Sequence, residues 1–208
     1  MDWGTQKQLF DAGFGNAPLK LSHSDIKANV RAIQMEQGLK PVDHLQGEGV
    51  NLTIEMETGT GKTYTYIKTM FELNKHYGWS KFIIVVPSVA IREGVYKSFE
   101  TMQDHFANEY GKRMQYFVYN SNQLTKIDSF ASHNILHAMI INTQAFNASL
   151  NEDKAGSNKD ARIIFSKRDE FGSRRPIDIL AQTHPVMIVD EPQSVLGANV
   201  NNATRRGI

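Results

Sequence analysis

The chain contains no cysteine, which excludes a disulfide framework, a thiolate metal site and a cysteine nucleophile. Nothing then argues for an oxidising compartment. Long hydrophobic runs are also missing: the most apolar stretch, residues 82–91, is broken by Pro87 and Ser88 and falls short of the ~18 residues a membrane span needs. Charge of one sign is scarce, since 23 Lys+Arg against 22 Asp+Glu leave a formal +1. A polybasic nucleic-acid binder would carry a global basic field, so any nucleic-acid contact here is expected to be local. No internal repeat or sustained low-complexity tract occurs, which removes solenoids and collagen-like arrays. The seven histidines show no His-x-x-x-His pair within one helix, and Arg174-Arg175 and Arg205-Arg206 are isolated pairs that read as surface. The polar opening MDWGTQKQLF lacks the apolar region of a signal peptide. No membrane association and a cytoplasmic address are the expectations.

With 208 residues, 40% of them apolar and 10% aromatic, the chain has the material for one domain plus an arm. Ile26, Val30 and Ile33 recur at helical spacing after Ser24-Asp25, and Gly38 and Pro41 supply the stop, giving an N-terminal helical arm over residues 1–50. Beyond it, five apolar runs read as strands: NLTIEM (51–56), KFIIVV (81–86), MQYFVY (114–119), HAMIIN (137–142) and VMIVD (186–190). Helical patterns intervene, one with Ile67, Met70 and Phe71 on a face, the next with Ile91, Val95, Phe99, Met102 and Phe106. Strands alternating with helices imply an α/β fold with a parallel sheet, here over residues 51–208. The polar segment 151–160 reads as a surface loop, followed by short helices up to Thr183.

The strongest chemical signal is Thr58-Gly59-Thr60-Gly61-Lys62-Thr63, between an expected strand and an expected helix. Glycines let backbone amides close around a polyphosphate, the helix N-terminus adds positive potential, Lys62 reaches the β- and γ-phosphates, and Thr63 can ligate Mg²⁺. ATP and Mg²⁺ are therefore the expected cofactors. The outer glycine of the usual pattern is replaced by Met56. Glu55 and Glu57 alternate with apolar residues just before the loop, and are expected to pair with a basic side chain or reach solvent rather than to orient Lys62. The second signal, Val189-Asp190-Glu191-Pro192-Gln193, closes the last strand, where acids face the ligand crevice of an open parallel sheet. Asp190 is the expected Mg²⁺ ligand, and Glu191 the residue that orients or deprotonates an attacking water, with Lys62 completing the catalytic set.

TGTGKT and DEPQ together resemble motifs I and II of the first, RecA-like motor domain of a superfamily 2 helicase. The Pro-Gln ending of the second motif, with EMETGTGKT and VPSVAIREG, resembles the Res subunit of type III restriction-modification enzymes, from about residue 51 onward. That resemblance implies a DNA-dependent ATPase and translocase acting on double-stranded DNA, with a modification (methyltransferase) subunit as partner and an endonuclease in the intact enzyme. It also implies that Ser88 and Arg92 in PSVAIR, and Thr143 in Asn142-Thr143-Gln144, contact DNA, although Ser88 equally reads as a plain helix cap and Arg92 as a solvated charge. Gln34 and Gln37 invite comparison with an adenine-reading glutamine, but their spacing favours a solvated helix face. A second motor domain, with its arginine finger, and a nuclease domain are expected to be absent from these 208 residues. Nucleotide binding with little or no turnover is accordingly expected of the chain alone. Another superfamily 2 DNA or RNA helicase is the competing expectation.

Overall fold

The structure, a computed structural model, describes residues 15–45, 50–143, 163–167, 169 and 172–193. The chain packs as two compact units. Described residues 15–17 and 61–193 form the larger, and residues 18–45 and 50–60 the smaller.

In the smaller unit, helix α1 (His23–Glu36) starts where the sequence places a cap: Ser22 accepts a hydrogen bond from the Asp25 amide, and Asp25 answers through the Ser22 amide. Such reciprocal capping satisfies two of the N–H groups a helix start leaves unpaired. Gln34, expected on a solvated face, instead accepts a 2.8 Å bond from the Val42 amide, and Arg31 donates to the Val42 carbonyl at 2.8 Å. These two side chains fold the post-helix segment back along α1.

The larger unit is built on β1 (Lys81–Val86), whose six residues are all buried. A run of β-branched and aromatic side chains suits a strand covered on both faces. Helix α2 (Lys62–Tyr77) precedes it and α3 (Val89–Tyr110) follows. Then come β2 (Gln115–Val118), α4 (Thr125–Ser132), β3 (His137–Asn142), α5 (Pro176–Gln182) and β4 (Val186–Val189). The four strands form one parallel sheet in the order β2-β3-β1-β4. Because successive side chains point to opposite faces, Phe82, Ile84 and Val86 pack with Ile67, Met70, Phe71, Val95, Phe99 and Phe106 from α2 and α3. Ile83 and Val85 pack on the other face with Ile127, Phe130, Ile179 and Leu180 from α4 and α5.

A fifth strand over 51–56 is not formed: this segment carries no strand, and Leu52 and Ile54 are 58% and 74% exposed. The physical reason is partnership. A strand gains its hydrogen bonds from a neighbouring strand, and the sheet of the described residues contains no strand from this segment, while Thr53 and Glu55 give it no second apolar face. Glu55 and Glu57 are exposed, as expected. The expected loop over 151–160 lies outside the described residues.

Asn16 is a structural residue that pattern reading passed over. Its buried amide accepts from the Ser80 and Lys81 amides at 2.8 and 2.9 Å and donates to the Lys81 and His184 carbonyls at 2.8 and 3.1 Å. One side chain thus satisfies the backbone where β1 begins and where the turn into β4 lies.

Lys81 is fully buried; its ammonium donates to the His133 carbonyl and lies 5.3 Å from the centre of the Phe130 ring. Burial without a carboxylate partner lowers its pKa to about 8. His137, paired with Lys81 across the sheet, is likewise pushed down by burial, to about 4. For a base whose folded pKa is depressed, the folded chain binds fewer protons than the unfolded one between the two values, so stability rises with pH there. We expect the urea midpoint of the wild type to gain on Lys81→Met as pH is raised from about 8 towards 10.5, with a difference on the order of 2 kcal/mol. Parallel pH profiles for the two proteins would show that Lys81 titrates normally.

Candidate nucleotide-binding site

Glycine loops approach phosphate because they reach backbone conformations closed to other residues. Gly59 and Gly61 both do so, with φ of 82° and 93°. Thr58, Gly59 and Thr60 belong to the smaller unit, where a turn is closed by the Thr60 hydroxyl and amide, both donating to the Glu57 carbonyl at 2.6 and 3.3 Å. In the larger unit Gly61 caps α2 in the left-handed conformation, with no side chain on the helix's first amides and no acid in its first turn. A sixteen-residue helix presented this way leaves free donors and positive potential at its start. The start of α2 fits a polyphosphate.

Lys62, the first residue of α2, meets Glu191, two residues beyond the end of β4. Its Nζ lies 2.6 Å from Oε1 of Glu191, 129 residues later in the chain. This bond raises the Lys62 pKa and holds the Glu191 carboxyl below the usual carboxylate range. The second oxygen of Glu191 accepts from the Gln193 amide. Glu191 itself sits at φ 52°, a left-handed conformation that non-glycine residues seldom adopt and that clusters at functional sites. Asp190 is tied to the sheet by its amide, which donates to the Val85 carbonyl at 2.9 Å. Burial lifts its carboxyl above the ordinary value despite the nearby Lys62. Thr63 is half-buried on the first turn of α2. The oxygen ligands Thr63 and Asp190 are of the hard type that Mg²⁺ takes, although no preformed cluster of three or more metal-binding side chains exists among the described residues.

The structure therefore brings Lys62, Asp190 and Glu191 together in one unit. The three residues read as DNA contacts lie at the exits of β1 and β3 and on the first turn of α3. Ser88 caps α3, its hydroxyl accepting from the Ile91 amide at 3.3 Å. Arg92, one turn into α3, pairs with Glu93 at 2.9 Å and lines a cleft of about 530 Å³ with Tyr96, Tyr116, Asn120, Gln123 and Lys126. Thr143 is buried, its amide bonded to the Val86 carbonyl at 3.0 Å and its hydroxyl turned to the Pro87 carbonyl at 3.5 Å. Gln144 lies outside the described residues. Sequence reading gave no role to Gln193 or to Tyr66; the signal for Tyr66 is its spacing of three from Thr63, which puts both on one helix face.

A parallel α/β sheet with a helix-capping glycine loop and an acid pair at a strand end has the make-up of a RecA-like helicase domain. The comparisons give the family. The family model "Type III restriction enzyme, res subunit" matches residues 27–195, and the chain belongs to that family. It is 31% identical over 195 residues to the Res subunit of the type III restriction-modification enzyme EcoP15I from Escherichia coli, covering 85% of this chain and 19% of that protein. To the EcoPI Res subunit of Escherichia phage P1 it is 29% identical over the same shares. The StyLTI Res subunit of Salmonella typhimurium (strain LT2) is 34% identical over 163 residues, 68% of this chain and 15% of that protein. The chain thus spans less than a fifth of the length of these relatives. Among the described residues no helix is long and apolar enough to cross a membrane.

The Lys62–Glu191 pair makes a direct prediction. Without the ammonium, nothing else strong holds the Glu191 carboxyl down, so Lys62→Met should return its pKa towards the ordinary carboxylate value. A carbon-detected NMR titration reads this shift; an unmoved Glu191 would mean that the two side chains do not meet in solution.

Proposed function

We propose that the chain is the nucleotide-binding part of a helicase-like motor, binding Mg·ATP through residues 58–63, with Asp190 on the metal and Glu191 on the water. The observation that carries this reading is the 2.6 Å contact between the loop lysine and the strand-end glutamate, which unites two motifs remote in sequence at one end of the sheet. Bound magnesium supplies charge neutralisation at the phosphate oxygens. The chain's own residues do the rest: the amides opening α2 cradle phosphate, Lys62 exchanges Glu191 for a phosphate oxygen, and Glu191, so released, is free to orient water. In the longer protein, the reading extends to a DNA-dependent ATPase that tracks double-stranded DNA together with a modification subunit in the cytoplasm. Support comes from the family and from the cleft beside Arg92, where Tyr96, Tyr116 and Lys126 offer stacking faces and a phosphate-seeking cation of the kind that nucleic-acid grooves combine. The proposed domain division is a helical arm over 1–50 followed by the motor domain.

Calorimetry with ADP and Mg²⁺ tests the site. Lys62→Ala should abolish binding, while Asp190→Ala should weaken the magnesium dependence and leave metal-free binding nearly intact. Equal affinity for wild type and Lys62→Ala would refute the loop assignment.

Turnover by the 208 residues alone is expected near background. An arginine at the γ-phosphate is worth roughly 10³ to 10⁵ in rate, and Arg92, Arg113 and Arg175 are each paired to a nearby acid, Glu93, Asp104 and Asp178. Phosphate release that responds to DNA and disappears in Glu191→Gln would show that the chain completes its own site.

A further inference from the structure

The nucleotide reading leaves one polar atom of this region unexplained. The Tyr66 hydroxyl is buried and makes no hydrogen bond of ordinary geometry among the described residues. Its ring is anchored in the core beneath α2, packed against the cluster that includes Ile67, Met70 and Phe82. Its hydroxyl lies near enough to Thr63 to be influenced by that side chain, and it feels the charge of Asp190. Helix geometry accounts for this placement. Residues three apart share a face, and helical side chains lean towards the N-terminus, so a tyrosine at 66 extends back over the turn that holds Thr63.

A buried hydroxyl without a partner is costly, and native structures keep few of them. Those retained call for a missing partner, such as a ligand, ion or water. Here the hydroxyl is buried on the helix face that also carries Thr63, within the field of the Asp190 charge, and the apolar core holds the ring that carries it. A tyrosine retained only to fill the core would do so equally well as phenylalanine.

We propose that Tyr66 is a positioning residue of the nucleotide–magnesium site, with a hydroxyl that lacks a partner in the free chain and donates a hydrogen bond to the oxygen shell between Thr63 and Asp190 once metal and nucleotide are bound. The inference rests on the nucleotide reading of the same site and adds a residue outside both motifs. It makes two effects of Tyr66→Phe run in opposite directions. Removing the unpaired hydroxyl leaves the free chain as stable as before or more so, and removing the donor weakens only the metal-dependent complex.

The experiment compares wild type, Tyr66→Phe and Lys62→Ala by thermal melting of the free chain and by ADP titration with Mg²⁺ and with EDTA. The expected result is an unchanged or higher melting temperature for Tyr66→Phe, Mg·ADP affinity about tenfold weaker, and unchanged affinity in EDTA. Equal Mg·ADP affinity, an equal loss in EDTA, or a lower melting temperature would each overturn the role of Tyr66 while leaving the phosphate loop intact. Wild type that binds no ADP, or Lys62→Ala that binds as wild type does, would instead bring down the nucleotide reading and this inference with it.

Discussion

Both expected sites depend on how one strand, β1, is held. Its six residues are buried on both faces, so a slip of one residue would exchange two packed apolar sets, Phe82, Ile84 and Val86 against Ile83 and Val85, between cores of different shape. Its last two carbonyls then set where the neighbouring chains leave the sheet. The Val85 carbonyl takes the Asp190 amide at 2.9 Å, and the Val86 carbonyl takes the Thr143 amide at 3.0 Å. At its other end, the Asn16 amide and the Ser80 carbonyl, which accepts from the His137 amide at 2.8 Å, occupy the backbone where the strand begins. The acid pair is therefore positioned by backbone hydrogen bonds to a rigid strand.

How much of this was legible follows from the kind of force involved. Strands β1 and β3 centre on short apolar runs, Phe82–Val86 and Ala138–Ile141, and helices α2 and α3 repeat apolar residues at helical spacing, so local pattern and tertiary burial agree. Ser22 and Ser88 cap their helices through side chains three residues or fewer from the amides they serve, an interaction written entirely in local sequence. The segment 51–56 has an equally plausible alternating pattern, but a strand is a relation between two segments, and a pattern in one says nothing about its partner. Asn16 is invisible for the same reason. Its bonds reach residues 64 to 168 positions away, and no spacing rule connects an asparagine before a helical arm to the start of a buried strand.

Lys62 and Glu191 form an ion pair at the end of the sheet. Each side chain is about one-third exposed, and exposed ion pairs add little to stability, so the pair does not hold the fold together. Its effect is on protonation and orientation. The ammonium keeps Glu191 ionised, and Gln193 takes the other carboxylate oxygen, so the glutamate is held from both sides in an unusual backbone conformation. A phosphate approaching α2 competes for Lys62 directly. In the proposed nucleotide-bound state, displacement of Lys62 by phosphate would free one oxygen of Glu191 while the Gln193 side chain still holds the other.

The sheet order separates the acid pair from the cleft beside Arg92, and one helix connects them. The acid pair follows β4, at one edge, whereas the cleft beside Arg92 opens at β2, the other edge. Three strand spacings lie between them, about 14 Å. Helix α3 spans that gap: its first turn, capped by Ser88, follows β1 next to Asp190, and its body packs on β1, β3 and β2. A twenty-two-residue helix seated on three strands moves as a body and does not bend locally. One helix therefore runs from the β1 exit, where the acid pair also lies, to the cleft lined by Arg92 and Tyr96.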